Sequence, residues 1–530
     1  MNISDLKAWC DIDFDDGRCS CPLAYAGHLF LNGREIKDLV IPDGVSSLGY
    51  AFTGWRALST VVIPGSVRKI SSSAFSECSG LTSVTMQTGV TSIGASAFEK
   101  CSEIESLVIP EGVTRIGASA FSGCRSLNTI VIPSSMESIG GGAFQGCESL
   151  STVHISDLAK WCEIEFDDSA ANPLWNSKVE GKRLYVEGRE VSELQIPEGV
   201  TSIGKFAFYR CDFLTSVFLP HGMLKIGQDA FHQCIMLESV SLPDSLKSIG
   251  EGAFYSCSSL KTMVIPDSVT WIGEEAFARC SALTCVKLPC ELRAIYESTF
   301  DGCRSLTEVS IPDSVTSIGD YAFTGCSSLS TVRIPAGVKI VNKYLFASCT
   351  SLELVYFEGD APRTFNRNAF NNCSSELMFV VRSQSEGWGD IPGTWNGIPT
   401  IHENLSASVV AVDLKTGESR KILSLEKQML DWEVKLSGGC VYIIEGDLII
   451  GSGGVLAIEP NVVVKMSKGS QIRALTGGTC LANSVTFTHI ADDEIGGDTN
   501  KDGDATYPSS GEYRIGGNMQ EDDKTENRYL

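Results

Sequence analysis

Leu127-Asn128-Thr129-Ile130-Val131-Ile132-Pro133, followed by Ile139-Gly140, Ala143-Phe144 and Cys147, is the stretch that decides how this chain folds. Apolar residues two apart at 130 and 132 read as a short strand with one buried face. Pro133 lacks a backbone donor and ends the strand. The apolar positions that follow carry the chain back through a turn or short helix. Such a unit is too small to bury its own apolar side, so it needs a neighbour of the same kind on either side.

The neighbours are present. Phe recurs at 52, 75, 98, 121 and 144, and again at 208, 231, 254, 277, 300, 323, 346 and 370, in steps of 23 residues with one slip to 24 at the end. A Cys stands three residues after all but the first of these Phe residues, from Cys78 to Cys147 and from Cys211 to Cys373, with Trp55 in its place in the first unit. Self-similarity at this period predicts a stacked solenoid. Stacked strands lie about 4.8 Å apart, wider than the ~3.8 Å Cβ separation of a disulfide, so the cysteines are expected to be reduced and to pack as small hydrophobes. Zinc fails on spacing, because no Cys-x-x-Cys pair exists and the six histidines are scattered.

Two related segments interrupt the array. Residues 2–16 recur at 154–168, sharing Ile-Ser-Asp-Leu and Trp-Cys, and His28-Leu29-Phe30-Leu31-Asn32-Gly33 is matched by Arg183-Leu184-Tyr185-Val186-Glu187-Gly188. Each offers a Ser-Asp helix start and a hairpin around Asn-Gly or Glu-Gly. Met1 stands where Val153 stands in the second copy, so the chain reads as starting inside a module, and its lack of a signal peptide says little about location. From about 401 the period disappears and short strands separated by Gly or polar turns take over, as in Val441–Ile450, Val455–Pro460, Val462–Met466 and Val485–Thr488.

The Leu-x-x-Val-x-Ile-Pro…Ile-Gly-x-x-Ala-Phe-x-x-Cys unit resembles the BspA-like, or Treponema pallidum-type, leucine-rich repeat over about residues 36–380. The Ser-Asp-Leu-x-x-Trp-Cys segments resemble inserts in large bacterial surface proteins. Residues 440–515 are similar to the opening coils of a right-handed parallel β-helix. These resemblances imply a repeat solenoid of the α/β leucine-rich repeat type, with 23-residue units and short parallel strands, followed by a β-rich, β-helix-like tail. The expected organisation is an island of helix plus hairpin at 1–35, repeat block one at 36–152, a second island at 153–192 and repeat block two at 193–380. A cap or linker at 381–400, a β-rich segment at 401–490 and an acidic tail at 491–530 follow. The resemblance also implies a bacterial cell-surface or secreted protein that binds other macromolecules.

Composition narrows the function. With 42 basic against 65 acidic residues the formal charge is −23, which repels phosphate backbones and anionic lipid and argues against nucleic-acid partners. No run of 18 apolar residues exists to span a membrane. No nucleophile elbow, phosphate loop or metal-binding His pair is found, so no catalytic residue is assigned and the chain is read as a non-enzyme. Asp498, Asn500, Asp502 and Asp504, with Gly503, have the oxygen-rich spacing of a calcium loop, but Ser509 holds the place of the closing Glu. Calcium there competes with a plain solvated acidic turn, and no other cofactor is expected. The outward strand position varies along the second block, reading Phe218, Ser241, Val264, Lys287, Ser310, Arg333 and Tyr356, and is plainer along the first, at Val62, Thr85, Val108, Val131 and His154. The expected function is adhesion or recognition of an extracellular protein or glycan through the second block's concave face, with Phe218, Arg333 and Tyr356 as anchors. The alternatives are a passive spacer, for which drift at unconstrained exposed positions explains the same variation, and a polysaccharide-active β-helix enzyme.

Overall fold

Period-two alternation becomes parallel strands stacked one unit apart. In this computed structural model the described residues are 1–12, 21–176, 179, 181–382, 384–389 and 393–402, together with strand backbones between 407 and 489 and at 515–516. Thr129–Ile132 turns Ile130 and Ile132 inward and Thr129 and Val131 outward. It pairs in parallel with Ser106–Val108 on one side and Thr152–Ile155 on the other, Val131 facing Val108 and His154. A second ladder of two-residue strands runs through Ser47–Leu48, Lys69–Ile70, Ser92–Ile93, Arg115–Ile116, Ser138–Ile139 and Glu165–Phe166.

The return arm is a turn. Ser96 and Lys100, on either side of Ala97-Phe98, both take positive φ (53° and 60°), which breaks any helix. Hydrogen bonds to the next unit compensate: the amides of Ser96, Phe98 and Lys100 donate to the carbonyls of Ala118, Ala120 and Ser122 at 2.9, 2.8 and 2.6 Å. A regular unit such as this one is thus tied to a neighbour at up to three places around the coil. Inside, the Phe side chains form one stack in each repeat block, with ring centroids 5.3 Å apart between Phe75 and Phe98 and 5.5 Å between Phe254 and Phe277.

Among the described residues the α-helices are confined to the islands: α1 (Leu6–Cys10), α2 (Leu23–Ala26) and α3 (Leu158–Glu163). Asp5 caps α1 by accepting from the Lys7 and Ala8 amides, and Asp157 caps α3 by accepting from that of Lys160. The two islands dock alike. Trp9 Nε1 donates to the Ala51 carbonyl at 3.1 Å and Trp161 Nε1 to that of Ala207 at 2.9 Å, each the Ala of an Ala-Phe pair in a later unit. The island hairpins turn on Asn32-Gly33 and Glu187-Gly188, all four at positive φ.

The chain divides into two compact units. One comprises Met1–Leu329, Ile340–Cys349 and Thr364–Asn372; the other comprises Ser330–Lys339, Thr350–Arg363 and Cys373–Leu530. The second contains a sheet through Thr331–Ile334, Leu354–Phe357, Met378–Val381 and Ile398–His402, with Gly393–Trp395 antiparallel at its edge. Beyond it the strands come round in three parallel ladders: Met429–Leu430, Leu448–Ile450, Ile472–Ala474 and Ile515–Gly516; Glu433–Leu436, Val455–Ile458 and Thr479–Ala482; and Cys440–Glu445, Val463–Met466 and Thr486–His489. Consecutive strands visit the three ladders in turn, which is the topology of a three-faced parallel β-helix. The hairpin of Ala407–Asp413 and Ser419–Leu425 lies antiparallel on Cys440–Glu445 and covers the edge that would otherwise remain open.

Candidate recognition face

The outward strand positions of the second block are where large side chains meet solvent. Phe218 is 47% exposed and Val264 65%, although Val217 and Met263 beside them are buried. Phe218 faces Ser241 across one ladder, and Val264, Lys287 and Ser310 follow one another across another. Ser241, Lys287 and Ser310 are all exposed. These five form an open surface of apolar, hydroxyl and ammonium groups in the first compact unit.

The last two expected face residues behave differently. Arg333 and Tyr356 face each other in the second unit, and Tyr356 is only 7% exposed. It is no surface anchor. Leu354–Phe357 and Met378–Val381 contain no polar residue, so both of their faces find apolar partners, and Tyr356 packs with Leu354, Met378 and Val380. The Arg333 guanidinium lies 4.2 Å from the Tyr356 ring and pairs with Glu358 Oε1 at 2.7 Å, while Arg382 takes Glu358 Oε2. The cation and ring expected to meet a ligand are thus engaged within the molecule.

The first block's face is less plain than its repeat residues imply. Val108 is 61% exposed, and His154 stacks on Tyr185 with ring centroids 4.6 Å apart. Tyr185 lies in the island hairpin, outside the 23-residue register, so counting repeats passes over it. The available signal was the likeness of Leu184-Tyr185-Val186 to Leu29-Phe30-Leu31, since both strands extend a preceding strand in parallel register. The Tyr185 hydroxyl donates to Glu190 Oε2 at 3.1 Å.

The repeat cysteines offer structure rather than reactivity. Eleven of the twelve are buried, Cys373 being partly exposed, and all are free thiols. Burial raises the pKa of Cys124, Cys147, Cys211, Cys234, Cys257, Cys280 and Cys303, to about 12 at Cys147 and Cys280. Cys285 and Cys290, outside this position, are exposed. Among the described residues no group of three metal-ligating side chains converges, and no helix is long and apolar enough to cross a membrane. Asp498, Asn500, Asp502 and Asp504 lie outside the described residues.

The sequence profile of the BspA type leucine rich repeat region matches residues 26–162, 181–307 and 293–386. Solved structures similar to this chain include a leucine rich cell surface protein from Faecalibacterium prausnitzii A2-165, 27% identical, covering 61% of this chain and 88% of that one with a TM-score of 0.37. A leucine-rich repeat protein from Bacteroides ovatus ATCC 8483 is also 27% identical, covering 68% of this chain and 87% of that one with a TM-score of 0.39. The leucine rich repeat protein of T. pallidum is 29% identical, covering 42% of this chain and 78% of that one with a TM-score of 0.22. No curated protein matches the sequence.

Proposed function

This chain belongs to the BspA-type leucine-rich repeat family, and on that premise we propose that it is a non-enzymatic recognition or adhesion protein, displayed at a cell surface or secreted. Membership of the family points to macromolecular interaction rather than catalysis. The ligand is an extracellular protein or glycan held on the outward strand face of the second block. The observation that supports this reading is the exposure of Phe218 and Val264 on strands whose inward neighbours are fully packed. A side chain of that size left in water on a rigid ladder costs little further ordering when a partner covers it. Tyr356 is buried and Arg333, though exposed, is held by Glu358, so the face is placed on Phe218, Ser241, Val264, Lys287 and Ser310.

The test uses the full chain against a panel of extracellular-matrix proteins and a glycan array. Changing Phe218→Ser, Val264→Ser and Lys287→Ser together should leave the melting temperature unchanged and weaken capture by about tenfold or more, equivalent to about 1.4 kcal/mol. Equal capture by parent and variant would remove this face from consideration and favour a spacer.

A further inference from the structure

The residue after each Ile of the second ladder is a close-contact position. At Gly227, Gly250, Gly273 and Gly319 an added Cβ would come within 2.7, 2.5, 2.4 and 2.5 Å of backbone atoms of the preceding unit. In one regular unit of this series Tyr296 occupies the position instead. The ladder breaks there: one sheet ends at Trp271–Ile272, and the next begins at Ala294–Ile295. Asn342 repeats the effect, since Ser317–Ile318 and Ile340–Val341 also belong to different sheets. Ser71, Asp167 and Asn366 fill the same position without a break, but each follows a spacing other than 23 residues. Within the regular register, then, a side chain here costs the ladder a rung.

At the first break two aromatic side chains are left in solvent. Trp271 is 39% exposed and Tyr296 38%, and their rings meet edge to face with centroids 6.4 Å apart. No packing need explains them: Ser248 holds the place of Trp271 one rung earlier, and Gly the place of Tyr296. Beside the pair, Glu251, Glu274 and Glu297 occupy equivalent positions of three consecutive units, are exposed, and form no ion pair among the described residues. Glu251 already feels its neighbours, its pKa being raised by partial burial and then by Asp229, Glu274 and Glu275. Arg293, the cation near in sequence, lies 3.9 Å from Glu291. Aromatic faces and unpaired carboxylates together suit a guanidinium or ammonium group, which stacks on the ring and pairs with the acid.

We propose that the Trp271–Tyr296 pair, set at the ladder break and flanked by Glu251, Glu274 and Glu297, docks an extended arginine- or lysine-rich segment of a partner protein. This site is separate from the strand face of the proposed function and stands or falls without it. The probe is a fluorescein-labelled decapeptide of alternating Arg and Gly, titrated into the full chain and read by anisotropy. Trp271→Ser and Tyr296→Gly, which install the residues of neighbouring units, should each weaken binding by about tenfold, with a melting curve unchanged for Trp271→Ser and no lower than the parent's for Tyr296→Gly. Tyr296→Phe should retain binding. The triple change Glu251→Gln, Glu274→Gln and Glu297→Gln should weaken it comparably at low salt and less at high salt. Binding that depends on the carboxylates but not on the two rings would overturn the proposal, as diffuse charge attraction. So would a neutral cello-oligosaccharide, rather than the peptide, binding in a Trp271-dependent way.

Discussion

Ten of the eleven buried thiols of the array donate a hydrogen bond as well as filling space. Cys257 Sγ reaches the Phe231 carbonyl at 3.2 Å, and Cys101, Cys124, Cys280 and Cys303 repeat the contact on the Phe of the preceding unit. That carbonyl also accepts the Cys234 amide within its own turn, so losing the thiol does not orphan it. Cys257→Ala should therefore cost about 1–2 kcal/mol, mostly as an unfilled cavity; an unchanged urea midpoint would contradict this. The same thiols make stability depend on pH. In the unfolded chain they lose their protons near the ordinary value of 9.0, whereas Cys147 and Cys280 hold theirs until about 12. The folded state then binds more protons than the unfolded one, and stability falls as pH rises through that window. Denaturation midpoints should drop progressively as the pH rises from 9.0 toward about 12, and Cys→Ala variants should flatten the slope. At Tyr356 the buried ring predicts a different outcome from that of a surface residue: Tyr356→Ala should cost about 3 kcal/mol or more, seen as a lowered unfolding midpoint.

At the scale of the element, the ladders depend on backbone approach. Gly250 has its would-be Cβ 2.5 Å from Gly227 C and 2.6 Å from Gln228 N, neither of which can move aside as a flexible side chain does. Gly250→Ala should open the rung between Lys225–Ile226 and Ser248–Ile249, raising amide exchange at Gly250, whose N–H now donates to the Ile226 carbonyl at 2.9 Å. A protected amide in that variant would mean that the close contact is not what limits the ladder. The islands use elements differently. Where the repeat closes on a Pro and a turn, the second island inserts α3 and still returns Glu165–Phe166 to the short-strand ladder and Arg183–Val186 to the long one. It also replaces the missing thiol contact, since Trp175 Nε1 donates to the Phe144 carbonyl at 3.3 Å. Buried Lys182 donates to the carbonyls of Leu174 and Arg210 at 3.1 and 2.6 Å, stapling the island to the following unit.

At the scale of the molecule, stability in a stacked array is a sum over units and their interfaces. Phe254 stacks at 5.5 Å on both Phe231 and Phe277 and is fully buried. Phe254→Ala removes two interfaces and should cost about 3–5 kcal/mol, enough to populate a partly unfolded form in denaturant titrations followed by probes in the two repeat blocks. A single sharp transition at the parental midpoint would refute the additive picture.

The amino-acid sequence alone determined the solenoid, because period-two strands, a 23-residue step and a Phe–Cys pair in all but the first unit can be satisfied together only by stacking. It determined the island motif as well, since two copies can be compared residue by residue. The state of Tyr356 was decided by tertiary structure: its position is outward in the repeat, and only the all-apolar strands around it turn that position into core. Tyr185 joined the face by pairing of a strand outside the period. Trp271 and Tyr296 became neighbours because a side chain at a glycine position parts two rungs. In each case burial or exposure depends on what lies one coil away, and a spacing of 23 residues records which positions align without recording what fits between them.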